Sequence, residues 1–244
     1  MRYILYFFTC VFLLSCKKDA APKIHNTKIS NRKVLKDSVA IKENSINNNK
    51  FQNTGKKIVE FVPNTYELQY SAKGDLNKDG ISDAVVVLRK KGDTLGERRI
   101  LILLKNSNGI FNLDKISETA LPTEYADNGF KNYSMETIEI KDGKLSLQSY
   151  GRGGTVGNIF SEYQYYGNQL VLTHINTYDV GAGSWITLNY DVLEGNFEEE
   201  VTNTMKEDMP TETKNYNLKK VKYLFETASP LEIITEAYRK IQIN

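Results

Sequence analysis

Short apolar runs and alternating apolar and polar residues dominate the chain after residue 56. Tyr66, Leu68 and Tyr70 alternate with polar residues, which is the pattern of a strand with one buried face. Residues 84–88 and 100–104 are continuous apolar runs of strand length, as expected for strands that are buried on both faces. The pattern therefore predicts a mainly β body.

Turn-forming residues separate several of the predicted strands. The three predicted hairpins are 135–150 with Asp142-Gly143 at its turn, 159–175 with Gly167-Asn168, and 185–201 with Glu194-Gly195-Asn196. Residues 218–225 are a further candidate strand. Successive hairpins predict an antiparallel meander, arranged either as a propeller-blade-like sheet or as a sandwich.

One helix is predicted, near the C-terminal end. Ser229, Pro230 and Glu232 supply a capping residue, a proline at the first helical position and an acid at the third. The apolar residues that follow fall on one face of a helix, at positions 233, 237, 238 and 241. We therefore expect an amphipathic helix that packs against the sheet.

Composition divides the 244 residues into segments 1–16, 17–55 and 56–244. Residues 17–55 hold nine Lys or Arg against three Asp or Glu and are rich in Asn and Ser, which predicts a disordered basic tether. The tether is either solvated or in contact with anionic lipid headgroups. Residues 56–244 hold 22 Lys or Arg against 27 Asp or Glu, and we expect them to form one β-rich globular domain. Its mildly acidic balance disfavours nucleic acid as a partner.

The N-terminal segment has the layout of a secretory signal. Arg2 precedes an apolar run that is too short for an ordinary spanning helix. The sequence Leu13-Leu14-Ser15-Cys16 then resembles the bacterial lipoprotein signal (lipobox), with Leu three positions before the cysteine. The resemblance implies that Cys16 is acylated, with palmitate among its acyl chains, and becomes the mature N-terminus. The protein would then be attached to a membrane by N-terminal lipid.

The residue after Cys16 bears on which membrane would hold the protein. Lys17, rather than Asp, follows Cys16. In cells with two membranes this resembles lipoproteins that are passed to the outer membrane. Whether the body faces the periplasm or the exterior stays open.

Residues 74–83 contain oxygen-bearing side chains at alternate positions, as calcium requires. The candidate ligands are the side chains of Asp75, Asn77, Asp79 and Asp83 and the main-chain carbonyl of Ile81. Gly80 lies where such a loop must turn sharply. The sequence therefore predicts a structural Ca²⁺ site, with a metal-free turn as the alternative.

The residues that follow the loop indicate which class of calcium-binding loop it resembles. An EF-hand would place Glu at its twelfth position, where this chain has Val86, and residues 84–88 predict a strand rather than a helix. The loop instead resembles the calcium loops of FG-GAP and VCBS repeats, in which D-x-[DN]-x-[DN]-G-x-x-D leads into a strand. The resemblance implies that the acidic and amide residues bind calcium. The motif occurs once, so a complete propeller is not expected.

Other reactive residues are few. Both cysteines, Cys10 and Cys16, precede the body, and His174 is its only histidine, which we expect to have a structural role. No G-x-S-x-G motif is present.

Residues 198–200 are three consecutive Glu, predicted as a solvated strand edge, and 151–154 are predicted as a flexible hairpin end. Tyr163, Tyr165 and Tyr166 would either form a ligand platform or pack within the strands.

These residues favour a non-catalytic binding module for a protein or a glycan at the cell envelope. A carboxylate-dependent glycan hydrolase and an envelope inhibitor or immunity-type protein are the alternatives. Two carboxylates in one cleft, one with a raised pKa, would favour the hydrolase. An exposed Tyr or Trp surface without such a pair would favour the binding module.

Replacing the predicted anchor residue tests the membrane attachment. We expect Cys16→Ala to leave an unacylated protein that moves to the aqueous phase in detergent phase partitioning, while the unchanged chain stays with the detergent. Equal partitioning of the two proteins would contradict acylation at Cys16.

Overall fold

Antiparallel strands form most of the described part of the chain, which in the computed structural model is residues 51–96, 98–151 and 157–243. Cys16, the predicted signal and residues 17–50 of the predicted tether lie outside the described residues. The strands are β1 (Thr54–Gly55), β2 (Tyr66–Gly74), β3 (Asp83–Lys90), β4 (Arg99–Lys105), β5 (Phe111–Ser117), β6 (Tyr133–Lys141), β7 (Lys144–Gly151), β8 (Asn158–Tyr166), β9 (Gln169–Val180), β10 (Ser184–Asp191), β11 (Asn196–Asn203) and β12 (Thr211–Asn217). One 3₁₀ turn (Ile58–Phe61) and one helix, α1 (Pro230–Ile243), complete the elements.

The first sheet has the order β1-β5-β4-β3-β2 and is buried on both faces at its centre. In β3, Val85 and Val87 enter the main core, whereas Val86 and Leu88 enter a second core on the opposite face. Alternate residues of a strand point to opposite faces, so a strand covered on both sides must be apolar throughout. This is why β3 and β4 are continuous apolar runs in the sequence.

The second core is covered by the start of the folded body. Phe51 and Phe61 are buried there, and Thr54 and Gly55 pair with β5. The body therefore begins several residues before the boundary at residue 56 that composition indicated. Residues 51–55 are polar apart from Phe51, so their strand pairing leaves little trace in composition.

The second sheet is a meander of seven strands in sequence order, β6 to β12, that curls into a half-barrel. The three predicted hairpins form as expected, at β6–β7, β8–β9 and β10–β11. Asp142 and Gly143 have φ of 54° and 75°, the left-handed values that a two-residue hairpin turn requires. The prediction of a mainly β, antiparallel protein with one C-terminal helix is confirmed.

The two sheets share the main core and come closest where β2 meets β6. A Cβ at Gly74, the last residue of β2, would lie 2.5 Å from the main-chain oxygen of Ile140 in β6. Only glycine permits this approach, so the end of β2 is held directly against the second sheet.

A buried ion pair also joins the two sheets. Arg98 immediately precedes β4, and its guanidinium donates to both carboxylate oxygens of Glu136 in β6, at 2.6 and 2.8 Å. Both side chains are only 1% exposed. Arg98 also donates to the Pro122 carbonyl at 2.6 Å, and the Ser149 hydroxyl donates to Glu136 at 3.2 Å. These extra bonds help to offset the cost of removing both charges from water.

Residues 218–225 do not form the predicted strand. Their hydrogen bonds go to three different places: Leu218 N–H donates to Gly195, Val221 N–H to Val192, and Phe225 N–H to Leu170. Only an isolated bridge between Leu224 and Val171 is strand-like. The segment is apolar because it crosses the end of the half-barrel and inserts side chains such as Phe225 into the core. A continuous ladder is absent, so its apolar pattern was misleading.

Helix α1 confirms the C-terminal prediction. It begins at Pro230, and the face that packs on the sheet includes Ala237 and Tyr238, as expected, together with Ile234, which is 1% exposed. None of the helices in the described ranges is long and apolar enough to cross a membrane.

The buried ion pair can be tested by a double-mutant cycle. Arg98→Met or Glu136→Met alone leaves one buried charge without its partner and should lower the free energy of unfolding by about 3–5 kcal/mol. The double variant should lose clearly less than the sum of the two, because no unpaired charge remains. Urea unfolding measures all four proteins, and additive losses would contradict an energetically coupled pair.

Candidate functional site

The predicted calcium loop connects β2 to β3, where Gly74 and Asp83 face each other across the pair. It leads into a strand rather than a helix, as the sequence indicated. Lys78 and Gly80 adopt φ of 62° and 84°. These left-handed residues let the chain reverse direction within a few positions.

Asp83 closes the base of the loop. Its side chain is fully buried, and one carboxylate oxygen accepts hydrogen bonds from Leu76 N–H at 3.0 Å and Asn77 N–H at 3.4 Å. The other oxygen accepts from Lys105 N–H, at the end of β4, at 2.9 Å. Burial raises the pKa of Asp83, although these backbone donors oppose the shift. Asp83 therefore ties the loop to two strands of the first sheet.

The remaining predicted ligands lie on the outer part of the loop. Asp75 accepts from Asp79 N–H at 3.0 Å and from Gly80 N–H at 2.9 Å. The Asn77 side-chain oxygen accepts from Asp79 N–H at 3.1 Å, and Asp79 accepts from Ile81 N–H at 2.8 Å. Asp75, Asn77 and Asp79 thus turn their oxygens toward the same short segment of backbone, which organises the turn.

The donor set has the chemistry that calcium prefers, since carboxylates, an amide oxygen and a carbonyl are all hard oxygen ligands. Within the described residues, no three His, Cys, Asp or Glu side chains converge as a ready-made metal cluster. That criterion leaves out Asn77 and main-chain carbonyls such as that of Ile81. Calcium binding at this loop therefore stays a prediction.

The loop also touches the second sheet. A Cβ at Gly143, in the β6–β7 turn, would overlap the side chain of Lys78. Together with the contact between Gly74 and Ile140, this places the loop at the junction of the two sheets. A metal bound here would stabilise that junction.

A cleft of about 340 Å³ lies between the concave face of the second sheet and α1. Its walls are mainly apolar and include Ile186 and Leu188 of β10 and Ile234 of α1. Thr177 and Asp179 of β9 line it from the sheet, and burial raises the pKa of Asp179. A volume of this size is in the range of small-molecule sites.

A second acid on this face has a structural role. Glu199 of β11 is 5% exposed and accepts from Tyr216 OH at 3.2 Å, Tyr238 OH at 2.9 Å and the Gln242 amide at 3.2 Å. Burial, followed by the nearby Glu199 carboxylate, raises the pKa of Tyr238 to about 12. Glu199 therefore helps to hold α1 on the sheet, and the expectation that all of residues 198–200 form a solvated edge was wrong.

The other sequence candidates have ordinary surroundings. His174 is half-buried in β9, with its ring 6.3 Å from that of Phe160, and burial lowers its pKa. Tyr163 packs edge-on against Phe225 in the core, and Tyr165 donates to Asp114. Only Tyr166 of the three tyrosines is strongly exposed, so they do not form a platform. Residues 152–154 of the glycine-rich segment lie outside the described residues.

Sequence reasoning missed Thr177 and Asp179. The sequence signal was their spacing, since residues two positions apart in a strand share a face and both lie on the same face of β9 as buried Ile175. Polar residues at core-facing positions of a strand therefore marked the cleft.

Comparison of the chain with protein family models, with curated proteins and with solved structures found no match. Function must therefore be inferred from the residues and their geometry.

Two alanine substitutions should separate the base of the loop from its outer part. Asp83→Ala removes the acceptor of three backbone N–H groups and should lower the free energy of unfolding, in EDTA, by about 3 kcal/mol. Asp79→Ala should cost less than about 1 kcal/mol, because water can replace the bonds of an exposed side chain. Equal losses in urea denaturation would show that Asp83 does not have the anchoring role described above.

Proposed function

We propose that this chain is a cell-envelope protein, held on a membrane by lipid at Cys16, whose β body is a non-catalytic binding module for another protein. The observation that carries the binding role is an exposed apolar patch at one end of the second sheet. The anchor is supported by the lipobox-like sequence, and calcium is proposed as a structural ion at the β2–β3 loop.

The patch is formed by Val180, Trp185 and Met205, which are 52%, 37% and 77% exposed. Val180 and Trp185 are paired across β9 and β10. Met205 lies at the same end of the sheet, in the turn that follows β11. That turn is held against the β9–β10 turn by a hydrogen bond from Thr204 N–H to the Gly183 carbonyl, at 3.1 Å. Exposed apolar groups gathered in one place, including the only Trp of the chain, are typical of protein-binding surfaces.

The cleft supports binding over glycan hydrolysis. Glycosidases use two carboxylates about 5–9.5 Å apart on either side of the scissile bond. Among the described residues that line the cleft, Asp179 is the only carboxylate. A raised pKa at one acid without a partner across the cleft does not supply the acid and base, or acid and nucleophile, that hydrolysis needs.

Calcium would have a structural role in this protein, by stabilising the β2–β3 loop. Asp75, Asn77, Asp79 and Asp83, with the Ile81 carbonyl, would hold the ion. A bound Ca²⁺ would offset the negative charge of the three acidic residues of the loop and would fix the loop where the two sheets meet.

The binding surface can be tested by capture from a cell-envelope extract on the immobilised full-length protein. The variant Val180→Ser/Trp185→Ser should lose at least about tenfold of a specifically captured protein, as expected when a hot-spot aromatic residue is removed. Tyr166→Ser is the matched control, because Tyr166 is 47% exposed at the opposite end of the β8–β9 pair. Capture that is unaffected by the double change, or retention of glycans alone, would contradict a protein-binding role for this patch.

Calcium should raise the thermal stability of the wild type. With millimolar Ca²⁺ and a Kd near 10⁻⁴ M, which is within the range of extracellular modules, mass action gives about 1.4 kcal/mol. That corresponds to a rise in Tm of about 3–6 °C for a domain of this size. Magnesium should have a smaller effect, because it resists dehydration and demands octahedral geometry.

Asp79→Ala is the variant for the same melting experiment. It should abolish the calcium response and keep the wild-type circular dichroism spectrum. Calorimetry that detects no calcium binding by the wild type at millimolar concentration would reduce the loop to a metal-free turn.

A further inference from the structure

The cleft between the second sheet and α1 contains a buried hydroxyl that the fold leaves without a partner. Thr177 is only 6% exposed, and its Oγ1 has no hydrogen-bond partner among the described residues. A buried polar atom without a partner costs about 1–3 kcal/mol. Native proteins rarely retain such an atom. Thr177 is one of the residues that line the cleft, so a polar group of a bound ligand could supply the missing hydrogen bond.

Asp179 provides a second, charged group on the same wall. It lies two residues after Thr177 on the same face of β9, so their Cα atoms are about 7 Å apart. No hydrogen bond or ion pair joins its carboxylate to another described residue, and burial raises its pKa. The backbone of Gly157 packs against this carboxylate, and any Cβ there would overlap it.

The contrast with Glu199 is informative. That acid lies on the same face of the sheet, and the fold supplies it with three donors from β12 and α1. Asp179 has no such donors in the described part of the chain, although it lines the cleft. Within the described residues, Asp179 therefore lines the cleft without a partner, whereas Glu199 takes part in the packing of the helix.

We propose that this cleft binds a small amphipathic amine, with its ammonium group on Asp179 and Thr177 and its apolar body between β10 and α1. The ammonium would donate hydrogen bonds to the Asp179 carboxylate and to Thr177 Oγ1. Ile186, Leu188 and Ile234 would surround the apolar part. This goes beyond the protein-binding role proposed above and does not depend on it.

Charge selects this class of ligand over the others. A carboxylate or phosphate ligand would place a second negative charge beside Asp179 without a cation among the residues that line the cleft. A neutral ligand could fill the apolar space and would leave the partly buried charge uncompensated. A cation neutralises the carboxylate with a charge-assisted hydrogen bond, and its remaining N–H groups can donate to the hydroxyl.

Three matched indoles test the proposal by isothermal titration calorimetry on the full-length chain. Tryptamine carries the ammonium, tryptophol replaces it with a hydroxyl, and indole-3-acetate carries the opposite charge. We expect tryptamine to bind at least about tenfold more tightly than tryptophol, the gain typical of a charge-assisted hydrogen bond. Indole-3-acetate should bind more weakly than either.

Variants assign the preference to the cleft. Asp179→Asn should reduce the difference between tryptamine and tryptophol to less than about twofold. Glu139→Gln removes the same charge from an exposed position on the outer face of the sheet and should leave the difference unchanged. Thr235→Trp, at an exposed position of α1 beside the cleft, should prevent all three indoles from binding.

Thr177→Val provides a readout that does not depend on charge. It should weaken tryptamine binding about threefold or more and, without ligand, should raise the free energy of unfolding, because an unsatisfied hydroxyl is removed. The proposal is overturned if tryptamine binds no better than tryptophol, if Asp179→Asn keeps the preference, or if Thr235→Trp binds tryptamine normally.

Discussion

The buried pair of Arg98 and Glu136 is the constraint on which the rest of the molecule depends, because it fixes the two sheets relative to each other in the main core. Charges removed from water in this way hold only one geometry, since any displacement leaves both without partners. The Gly74–Ile140 contact lies further along β6 and holds the backbones of the two sheets close together there. The β2–β3 loop is at this junction, so an ion bound by it would reinforce an arrangement that the core already specifies.

The buried and partly buried acids of this protein differ in the number of hydrogen bonds that the fold provides to them. Glu136, Asp83 and Glu199 each accept at least three hydrogen bonds from groups that the fold brings to them. Asp179 lines a cleft without such donors among the described residues. This difference is one of the observations behind the ligand site proposed for the cleft. The exposed patch at Trp185 adds a second surface that folding alone does not account for.

Local chemistry allowed much of the fold to be predicted, and long-range packing limited the rest. Asp142-Gly143 predicted its hairpin because the turn requires left-handed residues, and Pro230 predicted the start of α1 for an equally local reason. Strand β12 gave no signal, because at an edge every residue except Tyr216 is exposed. Residues 218–225 gave a false signal, because an irregular segment that crosses a core is as apolar as a strand. In the sequence, the only sign of Asp179 was that it falls on the core-facing side of β9. The cleft that it lines is formed only when α1, which is distant in sequence, packs on the sheet.

We expect the two sheets to unfold as one cooperative unit, because they share the main core and the buried ion pair. Native-state amide hydrogen exchange can measure this, with Val86 in β3 and Ile175 in β9 as reporters of the first and second sheets. We expect both amides to exchange only through global unfolding, with free energies of opening equal to within about 1 kcal/mol. A markedly lower free energy of opening at Val86 than at Ile175 would show that the first sheet opens on its own, and would contradict a single cooperative unit.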